Sequence, residues 1–111
     1  MATTTYRVIG QSAPTSTANA DLYTVPALSS AIISTLHIAN TTATDATARV
    51  FVRIAGAAAA ASNAIIYDVS VGGNGFVSLT LGITLATTDV ITVRTATANA
   101  LTFTAFGTVI A

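Results

Sequence analysis

The side chains able to carry chemistry in this sequence are few: one histidine, His37, four aspartates, Asp21, Asp45, Asp68 and Asp89, and no cysteine. A metal centre needs several such groups converging at ligand spacing, and without thiolates it would need His37 to recruit carboxylates. The aspartates are dispersed along the chain instead. A Ser-His-Asp triad has its residue types available, but a nucleophilic serine is commonly presented on a GxSxG elbow, and the sequence has none. His37 lies in an alternating stretch that turns Leu36 and Ile38 away from it. The reading is a surface or interface histidine, with no catalytic group, metal or cofactor expected.

Two other motifs invite functional readings that their surroundings oppose. Val71 to Phe76, VGGNGF, has the glycines of a phosphate-cradling loop, but such a loop opens a helix, and the residues that follow alternate as a strand. Turn chemistry accounts for it better. Asn40-Thr41-Thr42 matches the glycosylation pattern, while the opening MATTTYRVIG lacks the basic and apolar regions of a secretory signal.

The remaining candidates concern contact rather than catalysis. Arg49, Phe51 and Arg53 alternate with Ala48, Val50, Val52 and Ile54, so the first three form one stripe and the other four an inward row. Arginine and aromatic residues are enriched at protein interfaces, and this stripe holds two of the four arginines. Arg49, Phe51, Arg53 and His37 are therefore the candidate protein-contact residues.

Composition sets the frame for that reading. Charged residues are 7% of the 111-residue chain, against roughly 25% in ordinary globular domains, and the net charge is zero. A surface so poor in charge associates readily, which predicts a permanent assembly. The charges form no basic cluster able to neutralise phosphates, so nucleic acid is not an expected partner. Mean hydropathy is +0.73. The uncharged run from Ala27 to Thr44 is nevertheless broken by serines, threonines, His37 and Asn40 too often for a membrane helix. A lipid-spanning barrel would need aromatic girdles, and the sequence has no Trp and 6% aromatics. No membrane role is expected.

Alternation recurs along the chain with β-branched residues enriched, predicting an all-β, single-domain antiparallel β-sandwich or jelly-roll-like fold of about eight strands. The expected strands are Tyr6 to Gly10, Leu22 to Val25, Ser30 to Ala39, Ala48 to Ile54, Ala64 to Val71, Phe76 to Leu81, Val90 to Thr95 and Leu101 to Ile110. In the third, Ile32, Leu36 and Ile38 are expected on one face and Ala31, Ile33, Thr35 and His37 on the other. Residues 1–20 are a candidate extended N-terminal arm. The alanine run is too short to nucleate a helix alone, so Gly56 to Asn63 reads as a loop with room for one helical turn. It is open whether its small residues lie against a neighbouring subunit or are a tolerated insertion.

The stretches DLYTVPA, ARVFVRIAGAA, LTLGITLATTDVITV and LTFTAFGTVI occur in this order between Asp21 and Ile110. Together they resemble small virion proteins of tailed bacteriophages, notably capsid decoration (cement) proteins of aquatic phages. The resemblance implies a β-sandwich, commonly trimeric, that sits on the outer surface of the icosahedral head and ties major capsid protein subunits together. It carries over no catalytic residues. The alternative within the same resemblance is a tail, fibre or baseplate component that binds a host glycan or another tail protein. A small hydrolase or ligand-binding barrel is a third class, and it lacks the convergent polar groups such a site requires.

Overall fold

The computed structural model describes residues 3–111, and it is all-β. Eight strands, β1 (Thr4–Ser12), β2 (Ala20–Thr24), β3 (Ser30–Asn40), β4 (Ala46–Arg53), β5 (Ala64–Val71), β6 (Phe76–Leu85), β7 (Val90–Thr95) and β8 (Leu101–Ile110), make two antiparallel sheets. The first sheet runs β1-β8-β3-β6 and the second β2-β7-β4-β5. The pairings are nested: β1 with β8, β2 with β7, β3 with β6, β4 with β5. The chain is thus one long antiparallel ribbon with its tip at the alanine-rich connection. It is rolled up so that β3 also meets β8 and β4 also meets β7. This is a jelly roll, which covers one face of each sheet with the other.

Strand ends follow local chemistry. Pro26 follows β2, where a residue without an N–H cannot extend a ladder. Between β5 and β6 the Gly75 N–H donates to the Gly72 carbonyl at 2.9 Å, and Asn74 takes φ 56°, so VGGNGF is a tight turn. Residues 4–12 form a strand that contains the expected Tyr6 to Gly10, held as an edge of the first sheet by β8.

The core is narrow and largely aliphatic. Ile33, Leu36, Ile38, Val50, Val71, Leu85, Val93, Leu101 and Phe103 have almost no exposed surface, and Ala31, Ala48 and Ala105 are buried with them. Phe103 is the one aromatic residue of that cluster. Polar burial is satisfied: buried Asn40 donates to the carbonyls of Thr44 and Val71 at 2.8 and 3.0 Å and accepts from the Thr42 N–H and hydroxyl. The side chain of the Asn40-Thr41-Thr42 pattern is therefore consumed in fastening the β3–β4 turn.

Three departures from strict alternation matter for the surfaces. A bulge between Ile33 and Thr35 reverses the parity of β3, so Ala31 and Ile33 share the inward face with Leu36 and Ile38 while Ile32 points outward. The expected grouping of Ile32 with Leu36 and Ile38 is corrected by that one extra residue. A second irregularity leaves Asp68 unpaired with φ 59°, freeing its carboxylate to reach sideways. Third, β4 ends at Arg53; Ile54 enters a 3-10 turn and is 73% exposed, leaving the inward row it was expected to extend.

Candidate functional site

The register of each sheet shows what its outer face presents. On the second sheet, Arg94, Arg49 and Tyr67 stand in one cross-strand row, and Asp21, Thr92, Phe51 and Ala64 in the next. Arg49 reaches Asp68 with two hydrogen bonds, Nε to Oδ1 at 2.7 Å and Nη2 to Oδ2 at 3.2 Å, and its guanidinium lies 4.0 Å from the Tyr67 ring centroid. The hydrogen bonds from Arg49, followed by its charge and that of Arg94, hold the Asp68 carboxyl below the usual aspartate range against an opposing desolvation. The same pairing raises the Arg49 guanidinium further above its ordinary value.

Arg53 has a different task. Its Nη1 donates to Asp21 Oδ1 at 3.0 Å and to Thr92 Oγ1 at 3.2 Å, while Nε and Nη2 donate to the carbonyls of Ala57 and Gly56 at 2.6 and 3.1 Å. It pins the alanine-rich connection back onto the sheet that the connection leaves. Asp89 helps from the β6–β7 turn by accepting the Ala55 N–H at 2.9 Å. The connection holds two 3-10 turns, Ile54–Gly56 and Ala61–Asn63. Asn63 ties the second by accepting the Ala60 N–H and donating to the Ala58 carbonyl.

This folded-back connection explains Phe51. The side chain occupies an outward position, as its alternation with Val50 predicts, yet it is 3% exposed and lies apart from the main core. Val90, across from Arg53, is likewise buried at an outward position. Both lie on strands that the 3-10 turns of the returning connection contact. Of the expected Arg49-Phe51-Arg53 stripe, the arginines are part-exposed and internally bonded, and the ring between them is not a surface group.

Arg94 was not among the candidate contact residues. It faces Arg49 directly across the β4–β7 ladder, and among the described residues it has no salt bridge. With Thr17, Thr47, Arg49, Asp68 and Ala96 it lines an open cleft of about 220 Å³. Alternation within VITVRT marks Arg94 as outward, but only the register brings two guanidinium groups together.

The outer face of the first sheet is of another kind. Its rows read Tyr6–Thr108–Ile32–Thr84, Val8–Phe106–Thr35–Thr80 and Gln11–Thr104–His37–Ser78, with Thr102, Ala39 and Phe76 at the far end. His37 stacks on Phe76 with ring centroids 5.1 Å apart. Tyr6, Val8, Ile32, Phe76 and Phe106 are all substantially exposed. None of the eight formal charges occupies an outward position in these rows; Arg7 sits at the rim, opposite Gly107 and of inward parity. The second outer face carries five charges: Asp21, Arg49, Arg53, Asp68 and Arg94. No three His, Cys, Asp or Glu side chains among the described residues are grouped as metal ligands.

No protein-family model matches the chain, and no curated protein matches it. Among solved structures, a chain in the structure of infectious bursal disease virus, Gx strain, aligns with a TM-score of 0.51 and 12% sequence identity. The alignment covers 99% of this chain and 31% of that one, so the present chain spans about a third of its neighbour. What they share is a fold.

Proposed function

We propose that this chain is a structural protein of a virion, a head decoration (cement) protein of a tailed bacteriophage. It binds the outer surface of the icosahedral head, with the major capsid protein as its partner and sister copies, three in all, as its companions. The observation that carries this reading is the unequal sharing of charge between the two outer faces of a jelly roll. A clamp needs surfaces for two kinds of neighbour, and this molecule has two kinds of surface. The resemblance of its sequence to phage virion proteins supports the same reading, as does a fold shared with part of a virus structure.

On this reading the arginine-bearing face meets the shell. Arg94 has no internal salt bridge among the described residues and stands beside a cleft, so it is suited to accept a carboxylate from the capsid protein. The action is one of mass balance: a protein that binds only the assembled, expanded shell stabilises that state, and no covalent step is involved. No nucleic acid or membrane takes part.

Purified protein added to undecorated expanded heads tests the proposal. Added density outside the shell and greater heat resistance are expected, with Arg94→Glu weakening binding while folding normally. Folded wild-type protein that leaves the heads unchanged overturns it. The tail, fibre or baseplate reading is favoured by one observation, the exposed aromatics Tyr6, Phe76 and Phe106 on the first sheet, which suit a glycan. Imaging of the intact particle separates the two by position.

A further inference from the structure

We infer that the outer face of the first sheet is a homotypic contact, covered in solution by another copy of this chain. Tyr6, Val8, Ile32 and Phe106 surround Thr108 on three adjacent strands, forming one apolar patch. Tyr6 is 83% and Phe106 40% exposed; at about 200 Å² per aromatic side chain these two present roughly 250 Å², and Phe76, 67% exposed at the far end of the same face, adds roughly 130 Å². Val8, Ile32 and the intervening threonines bring the face near the roughly 800 Å² per partner of a stable interface. Patches of this size on a monomer mark interaction sites.

The chemistry of the face selects its occupant. A charged partner would find no opposite charge in its rows, because their only ionisable side chains are Tyr6 and His37. What lies between the apolar groups is a lattice of hydroxyls: Thr35, Thr80, Thr84, Thr102, Thr108 and Ser78. A hydroxyl both donates and accepts, so a face built from hydroxyls and apolar groups is complementary to a copy of itself. A carboxylate or guanidinium face lacks that property, and the second sheet carries those groups. The inference concerns the protein without its shell, so its failure leaves the shell-binding test intact, and the converse holds.

Light scattering and sedimentation of the purified chain across a concentration series provide the test. The expected mass is a multiple of the 11.1 kDa chain: two where the face pairs with itself about a twofold axis, three where copies turn it toward the threefold axis of the reading above. Phe106→Asp should raise the dissociation midpoint by at least about 30-fold, the loss expected of a buried aromatic anchor. Ser70→Asp, outward on the second sheet, should leave it unchanged. Since the face lacks formal charges, the midpoint should hold between about 50 and 500 mM salt, where charged contacts weaken. Should Phe106→Asp disturb the fold, Val8→Thr and Ile32→Thr preserve strand propensity and should each shift the midpoint in the same direction. A wild-type monomer at every concentration overturns the inference, as does an oligomer indifferent to the folded first-sheet variants or dissociated by Ser70→Asp alone.

Discussion

The outer faces of the two sheets are built on the same backbone lattice and differ in what they ask of their side chains. On the second, Arg53 is spent on its own chain, bonding Asp21, Thr92 and two loop carbonyls, and Arg49 is spent on Asp68. On the first, His37 stacks on Phe76 and Gln11 reaches Thr104, but Tyr6, Val8 and Ile32 remain open to solvent. Charge placed on a sheet face tends to be satisfied internally and to organise loops. Apolar surface has no internal remedy other than burial, so it is the neutral face that most needs a neighbour.

The largest effect is expected from breaking the first face at its backbone. A methyl group on Gly107 would collide with the Ile32 carbonyl on the adjacent strand, whereas Gly82, on edge strand β6, has open space around it. Gly107→Ala should cost about 3 kcal/mol, since backbone cannot give way as a flexible side chain does. The expected fall in Tm is on the order of 10–20 °C. Gly82→Ala should be neutral or slightly stabilising, by no more than about 1 kcal/mol. Thermal melts of the pair measure this, and equal losses would mean that β3 and β8 are not held as closely as the register requires.

A smaller effect separates the faces by what their polar groups do. Arg53→Ala removes four hydrogen-bonding contacts, two of them the ties to the alanine-rich connection. The cost should be about 1–2 kcal/mol, with faster amide exchange concentrated between Ala55 and Asn63 and around Phe51. Thr80→Ala, on an exposed position of the first face, should leave that exchange pattern unchanged. Protection of the connection unaltered by Arg53→Ala would show that the alanines hold themselves down.

These differences were only partly legible in the residues. The strands Ala64–Val71, Val90–Thr95 and Leu101–Ile110 are bounded where alternation and turn residues place them, because pleat and burial act on neighbouring residues. The outward direction of Arg49 and Arg53 was legible for the same reason. A bulge was not: one extra residue at Ser34 exchanges Ile32 for Ile33 in the core, and nothing in SAIISTLHIAN distinguishes the two parities. Phe51 was misjudged because its cover comes from a connection that returns from beyond the strand. Arg94 acquires its interest from Arg49, which is 45 residues away in sequence and opposite in the ladder. Local pattern specifies strands; register between distant strands composes a surface.

The smallest effect lies in the acid limb of stability. In the folded chain Asp68 has its carboxyl held below the ordinary range by Arg49 and, more weakly, by Arg94. A group whose folded value is depressed stabilises the protein above its unfolded value of about 3.9, and that contribution disappears as pH falls through the folded value. Its exposure to solvent and salt keeps the contribution small. Asp68→Asn should therefore flatten the dependence of stability on pH below about 4, where the unfolded chain binds the proton first. High salt should narrow the difference from wild type, since Arg49 and Arg94 act on Asp68 through a solvated surface. Denaturant titrations at stepped pH provide the measurement, and identical slopes for wild type and Asp68→Asn would remove the electrostatic organisation assigned to this face. Thr80→Ala should leave the slope untouched, because Thr80 has no charge to couple to protons. If it altered the slope as Asp68→Asn does, the two faces would not be electrostatically distinct, and the partition of roles between them would fail with it.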